Sequence, residues 1–175
     1  MQLMDLRCED NARPAIKFDN AHNDAINALA FHPTHDKLFA TGSVDKTVGI
    51  FDLRFSDHGR IHTLEGHKDA ISKVDWHPHD SAILASSSDD RRVIFWDISR
   101  TGMEQTPEDA EDGPPEMLFM HGGHTAGVTD FSWNKNNPWI ISSVAANNIR
   151  QVWRPSRHLV ESLPSGTQRR EVSES

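Results

Sequence analysis

Residues 66–97 read GHKDAISKVDWHPHDSAILASSSDDRRVIFWD, opening on Gly66-His67 and closing on Trp96-Asp97. The landmarks of this stretch recur on both sides at fixed spacing. Forty-five residues towards the N-terminus, His67, Ser86, Asp90, Trp96 and Asp97 become His22, Thr41, Asp45, Phe51 and Asp52. Fifty-seven residues towards the C-terminus, the first four become His124, Ser143, Asn147 and Trp153. One unit repeated three times accounts for most of the chain, and the unit decides the fold.

Each copy reads as short strands separated by turns. In the first, Ile26 to Phe31, Leu38-Phe39-Ala40 and Val48 to Phe51 are apolar or alternating runs. His32 to Asp36 and Ser43 to Lys46 supply turn residues between them. The middle copy repeats this as Ile71 to Trp76, Ile83 to Ser87 and Val93 to Trp96. A period of roughly 40–45 residues between Gly-His and Trp-Asp marks a β-propeller blade. The chain resembles the WD-repeat family on these residues.

The resemblance implies that the His bridges the turn Asp to a Ser/Thr hydroxyl, and through it to the Trp indole N–H. The implied structural network is His22, Thr41 and Asp45, then His67, Ser86, Asp90 and Trp96, then His124, Ser143, Asn147 and Trp153. Phe51 keeps the packing of a Trp without its donor, and Asn147 is expected to keep the acceptor without its charge. Removing a member of such a chain strands the others in a low-dielectric core.

The expected fold is all-β: a WD-repeat β-propeller, read as the C-terminal portion of a seven-bladed ring with two complete and two partial blades. Propellers close with about four to eight blades. Residues 1–18 read as the end of a preceding blade, with Met1–Asp5 and Ala15–Phe18 as its last strands. Residues 19–64 and 65–120 are whole repeats with outer strands near Ile61–Leu64 and Met117–Met120. Residues 121–154 form a last repeat without its outer strand. In the remaining 155–175, a short helix over Ser156–Leu163 is expected to precede a disordered tail, Pro155 suiting its first turn.

Charge narrows the function. With 18 Lys+Arg against 26 Asp+Glu the net charge is −8, the opposite of a nucleic-acid-binding face. The single cysteine, Cys8, excludes a disulfide framework and fits a reducing compartment. No apolar run approaches a membrane span and no signal-peptide pattern is present. Direct nucleic-acid and membrane partners are therefore not expected.

The 12 extra residues of the second spacing fall in residues 101–116, TGMEQTPEDAEDGPPE, which hold six carboxylates, three prolines and no basic residue. Composition makes this a loop. The run Glu108 to Glu116, followed by Leu118-Phe119-Met120-His121-Gly122-Gly123-His124, resembles the histone-binding WD-repeat proteins. These are the retinoblastoma-binding histone chaperones and the second subunit of type B histone acetyltransferases. Asp130 to Asn134 and Asn137-Pro138-Trp139 are similar to that family's last blade. The likeness runs from about residue 3 to 153.

This resemblance implies a non-enzymatic nuclear scaffold, with the cytoplasm as a second location, that presents histones H3 and H4 to chromatin-modifying enzyme subunits. It implies a groove for the first helix of histone H4 at Glu108, Asp109, Glu111, Asp112, Gly113, Leu118, Phe119 and Met120. The family's N-terminal helix, which completes that groove, is absent from this sequence. Strand alternation would set Phe119 opposite Leu118 and Met120. The family's second surface, for histone H3 tails, departs here: Ala70, Gly127 and Ala146 stand where relatives carry Glu, Lys and Glu.

Other motifs lead elsewhere. Five of the eleven histidines occupy repeat slots, and the rest show no ligand spacing with carboxylates or cysteine, so no metal and no cofactor is expected. Gly122-Gly123 is followed by no helix pattern and reads as a blade turn. No nucleophile–base arrangement stands out, and an enzyme is not expected. Phe51-Asp52-Leu53-Arg54 after Asp45-Lys46-Thr47 resembles the Trp-Asp-x-Arg box of substrate receptors for cullin ubiquitin ligases, a competing function.

Overall fold

A computed structural model describes residues 1–3, 16–106, 113–137 and 139–162. Two four-stranded antiparallel sheets follow the repeat. The first blade is β3 (Ile26–Phe31), β4 (Leu38–Ser43), β5 (Thr47–Asp52) and β6 (His62–Glu65), paired in sequence order. The second is β7 (Ile71–Trp76), β8 (Ile83–Ser88), β9 (Val93–Asp97) and β10 (Met117–His121), paired likewise. Before them β1 (Gln2–Leu3) pairs with β2 (Ile16–Lys17). After them come the three strands β11 (Val128–Trp133), β12 (Ile141–Ala145) and β13 (Arg150–Trp153), then α1 (Arg157–Ser162). The architecture is a partial β-propeller. Asp52 and Asp97 each start a 3-10 turn by accepting a backbone N–H two residues on, from Arg54 and Ser99.

The strands form where the sequence has little choice. β8 and β9 are buried along their whole length, as expected of strands covered on both faces. Their hairpin turns on Arg91, which adopts φ 71°, and the equivalent Lys46 and Asn148 adopt φ 72° and 64°. Three non-glycine residues at one repeat position share a left-handed conformation, which side chains rarely take unless neighbours hold it. The preceding Asp or Asn does that by accepting the backbone N–H of the residue that follows the strained one: Thr47, Arg92 or Ile149.

The core is divided among the blade interfaces. Ala40, Val48, Ile50 and Leu64 of the first blade meet Ile71, Val74, Trp76, Leu84, Ile94 and Trp96 of the second. Ile83, Ala85, Val93 and Phe95 meet Val128, Phe131, Trp133 and Ile141 of the last blade. Gly42 lets the first two blades approach, because a Cβ there would collide with Ile71. Each interface is also stitched by an indole: Trp76 Nε1 donates to Ala30 O at 3.1 Å and Trp133 Nε1 to Asp75 O at 3.4 Å. Ile26, Leu29 and Phe31 hold the same repeat positions as the buried Ile71, Val74 and Trp76, yet they are exposed. Among the described residues no complete sheet faces them.

β10 corrects the alternation expected there. Met117 pairs with Trp96 and Phe119 with Phe95, with a register shift between them. Such a bulge opposes two residues to one and resets the faces. Leu118 and Phe119 therefore pack into the same core, with the last blade, while Met117 and Met120 pack into the other.

Candidate functional site

The repeat network of the middle blade is continuous. Asp90 Oδ2 accepts from His67 Nδ1 at 2.9 Å and from the Lys68 backbone N–H at 2.8 Å. With its Nδ1 proton so committed, His67 presents Nε2 as an acceptor to the Ser86 hydroxyl at 2.8 Å. Ser86 Oγ in turn accepts from Trp96 Nε1 at 2.7 Å. Burial pushes the Asp90 pKa up, but the bonds from His67 and two backbone N–H groups outweigh it and hold the carboxyl below its ordinary value.

The order Asp–His–Ser is that of a hydrolytic triad. Its hydroxyl, however, is fully buried beneath Trp96 and has no surface to offer a substrate. The arrangement fixes the blade and leaves no nucleophile accessible.

In the first blade His22 Nδ1 donates to Asp45 Oδ2 at 3.0 Å, and Thr41 Oγ1 lies 2.7 Å from His22 Nε2. Phe51 stacks on Phe39 at 5.3 Å in the place of a donor. Thr47 and Arg60 join instead: Thr47 Oγ1 donates to Asp45 at 2.7 Å and accepts from Arg60 Nη1 at 3.1 Å. Burial pushes the Asp45 pKa up, and bonds from Thr47, the Asn23 backbone and His22 reverse this to hold it well below the carboxylate range. Burial lowers the pKa of His22, with a contribution from the Arg60 charge.

The last blade departs from expectation at Asn147. His124 Nε2 lies 2.7 Å from Ser143 Oγ, which accepts from Trp153 Nε1 at 3.0 Å. Asn147 does not reach His124. Its Nδ2 donates to Thr125 Oγ1 at 2.9 Å and its Oδ1 accepts from Ile149 N at 3.4 Å. An amide is both donor and acceptor, and this exposed one turns to a hydroxyl that a carboxylate would have no N–H to offer. His124 Nδ1 is left buried without a hydrogen-bond partner among the described residues. Burial, then the nearby His121, lowers the His124 pKa.

The acidic insertion leaves the second blade between β9 and β10. Glu108, Asp109, Glu111 and Asp112 lie outside the described residues, but both ends of the loop are fixed. The Asp97 N–H donates to Glu116 O at 2.8 Å, Met117 N–H to Pro114 O at 2.9 Å, and Gln105 Nε2 to Gly113 O at 3.2 Å. Gly113 has φ 128°, and a Cβ there would collide with the Met117 methyl. Only glycine suits that position. Between the legs lies a cleft of about 280 Å³ walled by Arg100, Met103, Glu104, Pro114, Pro115 and Met117.

Leu118, Phe119 and Met120 are half-buried and follow Met117, the last cleft residue, along β10. Phe119 sits 5.5 Å from Phe95 and 6.0 Å from Trp153, ring to ring, as part of the blade interface. The sequence reading missed Met103, Gln105 and Arg100 as cleft residues. The glycine before Pro114-Pro115 was the available signal, since it marks a tight exit.

On the face bearing the β4–β5 type turns, Ala70 O accepts from Asp89 N–H and Gly127 O from Ala146 N–H. A Cβ on Gly127 would come within 2.9 Å of Asp89 Oδ1. The three departures from the histone H3 pattern thus sit together. Elsewhere Arg54 grips Asp52 through Nε at 3.0 Å and Nη2 at 2.6 Å while remaining 66% exposed.

Comparison with known families matches the model described as WD domain, G-beta repeat, to residues 14–52, 55–97 and 116–151. The matched segments stop at Asp97 and resume at Glu116, so the acidic insertion lies outside the repeat pattern.

Proposed function

This chain belongs to the WD-repeat family, whose domains are generally non-catalytic platforms for protein assembly, and we propose that it serves as a histone-binding scaffold. In this reading the insertion receives the first helix of histone H4, and the chain presents histones to chromatin-modifying or chromatin-assembly enzymes in the nucleus. The observation that carries it is the built neck of a carboxylate-rich loop standing outside the repeat pattern. The cleft at that neck combines Met103, Met117, Pro114 and Pro115 with Glu104. An amphipathic basic helix supplies the complement to both: an apolar side chain for the cleft and Lys/Arg for the carboxylates. Leu118 and Phe119 then offer the helix little contact of their own, because their side chains pack into the blade core.

The test is charge reversal. A full chain carrying Asp109→Lys and Asp112→Lys should bind an H4 first-helix peptide at least tenfold more weakly, about 1.4 kcal/mol. The unmodified chain should lose affinity as salt rises, since attraction between exposed charges is screened beyond about 8 Å at physiological ionic strength and over still shorter distances at higher salt. Equal affinity in a variant that still folds removes the insertion from the mechanism.

The exposed, pre-set Arg54 beside the exposed Phe55 favours a second reading, a substrate receptor of a cullin ubiquitin ligase. There Arg54→Ala should abolish adaptor capture and the insertion variant should leave it intact. The histone reading expects the reverse pattern for peptide binding.

A further inference from the structure

We propose that Thr106 is the acceptor for a proline-directed protein kinase, and that its phosphorylation tightens the insertion's hold on a basic partner. The second half rests on the histone reading above; the first does not. Thr106-Pro107 is the only Ser/Thr-Pro pair in the 175 residues. Residues 102–106 are exposed and belong to no strand or helix, beyond the turn at Thr101-Gly102. Six hydroxyls of the blade strands are the opposite case, since Thr41, Ser43, Ser86, Ser87, Ser88 and Ser143 are fully buried, and the exposed strand hydroxyls Thr129, Ser132 and Ser142 are not followed by proline. A residue before proline is steered away from the helical region towards extended backbone, the form in which a kinase cleft takes a substrate segment. The site therefore joins accessibility, conformation and a sequence mark at one hydroxyl.

The chemistry is a phosphoryl transfer from ATP. Thr106 Oγ1 bonds to the γ-phosphorus as the bridging oxygen to the β-phosphate leaves with ADP, and the hydroxyl proton passes to the kinase's carboxylate base. The product carries about −1.5 to −2 charges at neutral pH. It stands one residue from Gln105, which clasps Gly113, and two from Glu104 in the cleft wall. Residues 101–116 hold six carboxylates and no Lys or Arg, so the phosphate adds to a charge that is already negative and that attracts Lys and Arg.

The full chain would be incubated with ATP and a purified proline-directed kinase, and the phosphate located by peptide mass mapping. One phosphate on Thr106 is expected, absent in Thr106→Ala and formed at least tenfold more slowly in Pro107→Ala. Phosphate at another residue overturns the assignment. So does a rate that ignores Pro107→Ala but falls in Asp109→Asn, the signature of an acid-directed kinase. The modified and unmodified chains would then be titrated with the H4 helix peptide at two salt concentrations. At least threefold tighter binding after modification, shrinking at high salt, supports the second half; equal or weaker binding overturns it. An unmodified chain that binds the peptide at neither salt sinks the histone reading and the second half together, while the mass map still decides the acceptor.

Discussion

The middle and last blades carry the same network slot and fill it differently. In the middle blade a buried aspartate side chain accepts hydrogen bonds from His67 Nδ1–H and two backbone N–H groups, and the chain runs on unbroken to Trp96. In the last, Asn147 turns outward to Thr125, and the network is cut between turn and imidazole. The Ser143–Trp153 half survives the cut at nearly unchanged distances. The lesson is that the Ser-to-Trp half is positioned by sheet packing, whereas the Asp-to-His half depends on one charged acceptor. Isosteric replacement was enough to release it.

The widest separation between the blades should come at the indoles. Trp96 is fully buried, and Trp96→Ala should cost roughly 3–5 kcal/mol through the cavity it leaves. Trp153 is only partly covered, and Trp153→Ala should cost roughly 1–2 kcal/mol. Denaturant unfolding of the full chain measures both. Equal losses would mean that the last blade is packed as tightly as the middle one.

The turn acceptors offer a narrower contrast. Asp90→Ala strands His67 and the Lys68 and Arg92 N–H groups, at about 1–3 kcal/mol. Asn147→Ala removes an exposed amide that His124 does not use, at under about 0.5 kcal/mol. A large loss from Asn147→Ala would show that the amide reaches His124 in solution after all.

What could be read in the sequence follows the same division. The strands were legible because burial on both faces leaves near-continuous apolar runs such as Val93 to Trp96, set at a fixed period. The network members were legible as repeat positions, since His67, Ser86 and Asp90 share spacing with His22, Thr41 and Asp45. The orientation of Asn147 was not, because Asn and Asp have one shape and the choice of partner depends on a hydroxyl 22 residues away. The bulge in β10 was equally hidden. It is a property of the pairing with β9, and a one-residue change of register moves side chains between faces. The loop itself stood out by composition, while its neck did not. Gln105 and Gly113 meet only because the sheet brings the two legs together.

The smallest expected effect is also the most specific: restoring the missing charge. Asn147→Asp cannot donate to Thr125, and its carboxylate can accept a hydrogen bond from His124 Nδ1–H as Asp90 does from His67. A gain of about 0.5–1 kcal/mol is expected, modest because position 147 is exposed. Its pH dependence identifies the cause. In the present chain His124 has a lowered pKa and folds neutral, while the unfolded chain takes up that proton near pH 6.5. The unfolded state then binds more protons, so this residue's contribution is present above about pH 6.5 and is lost as pH falls. His22 and His32, also lowered by burial, act in the same direction. A carboxylate at position 147 raises the folded-state pKa of His124 and removes its share of that loss. The advantage of Asn147→Asp should therefore widen as pH falls from about 7.5 to 6, then fade below about 4 as the new carboxyl is protonated. A gain that stays constant across that range would come from the turn alone, and the comparison with the middle blade would fail at this point.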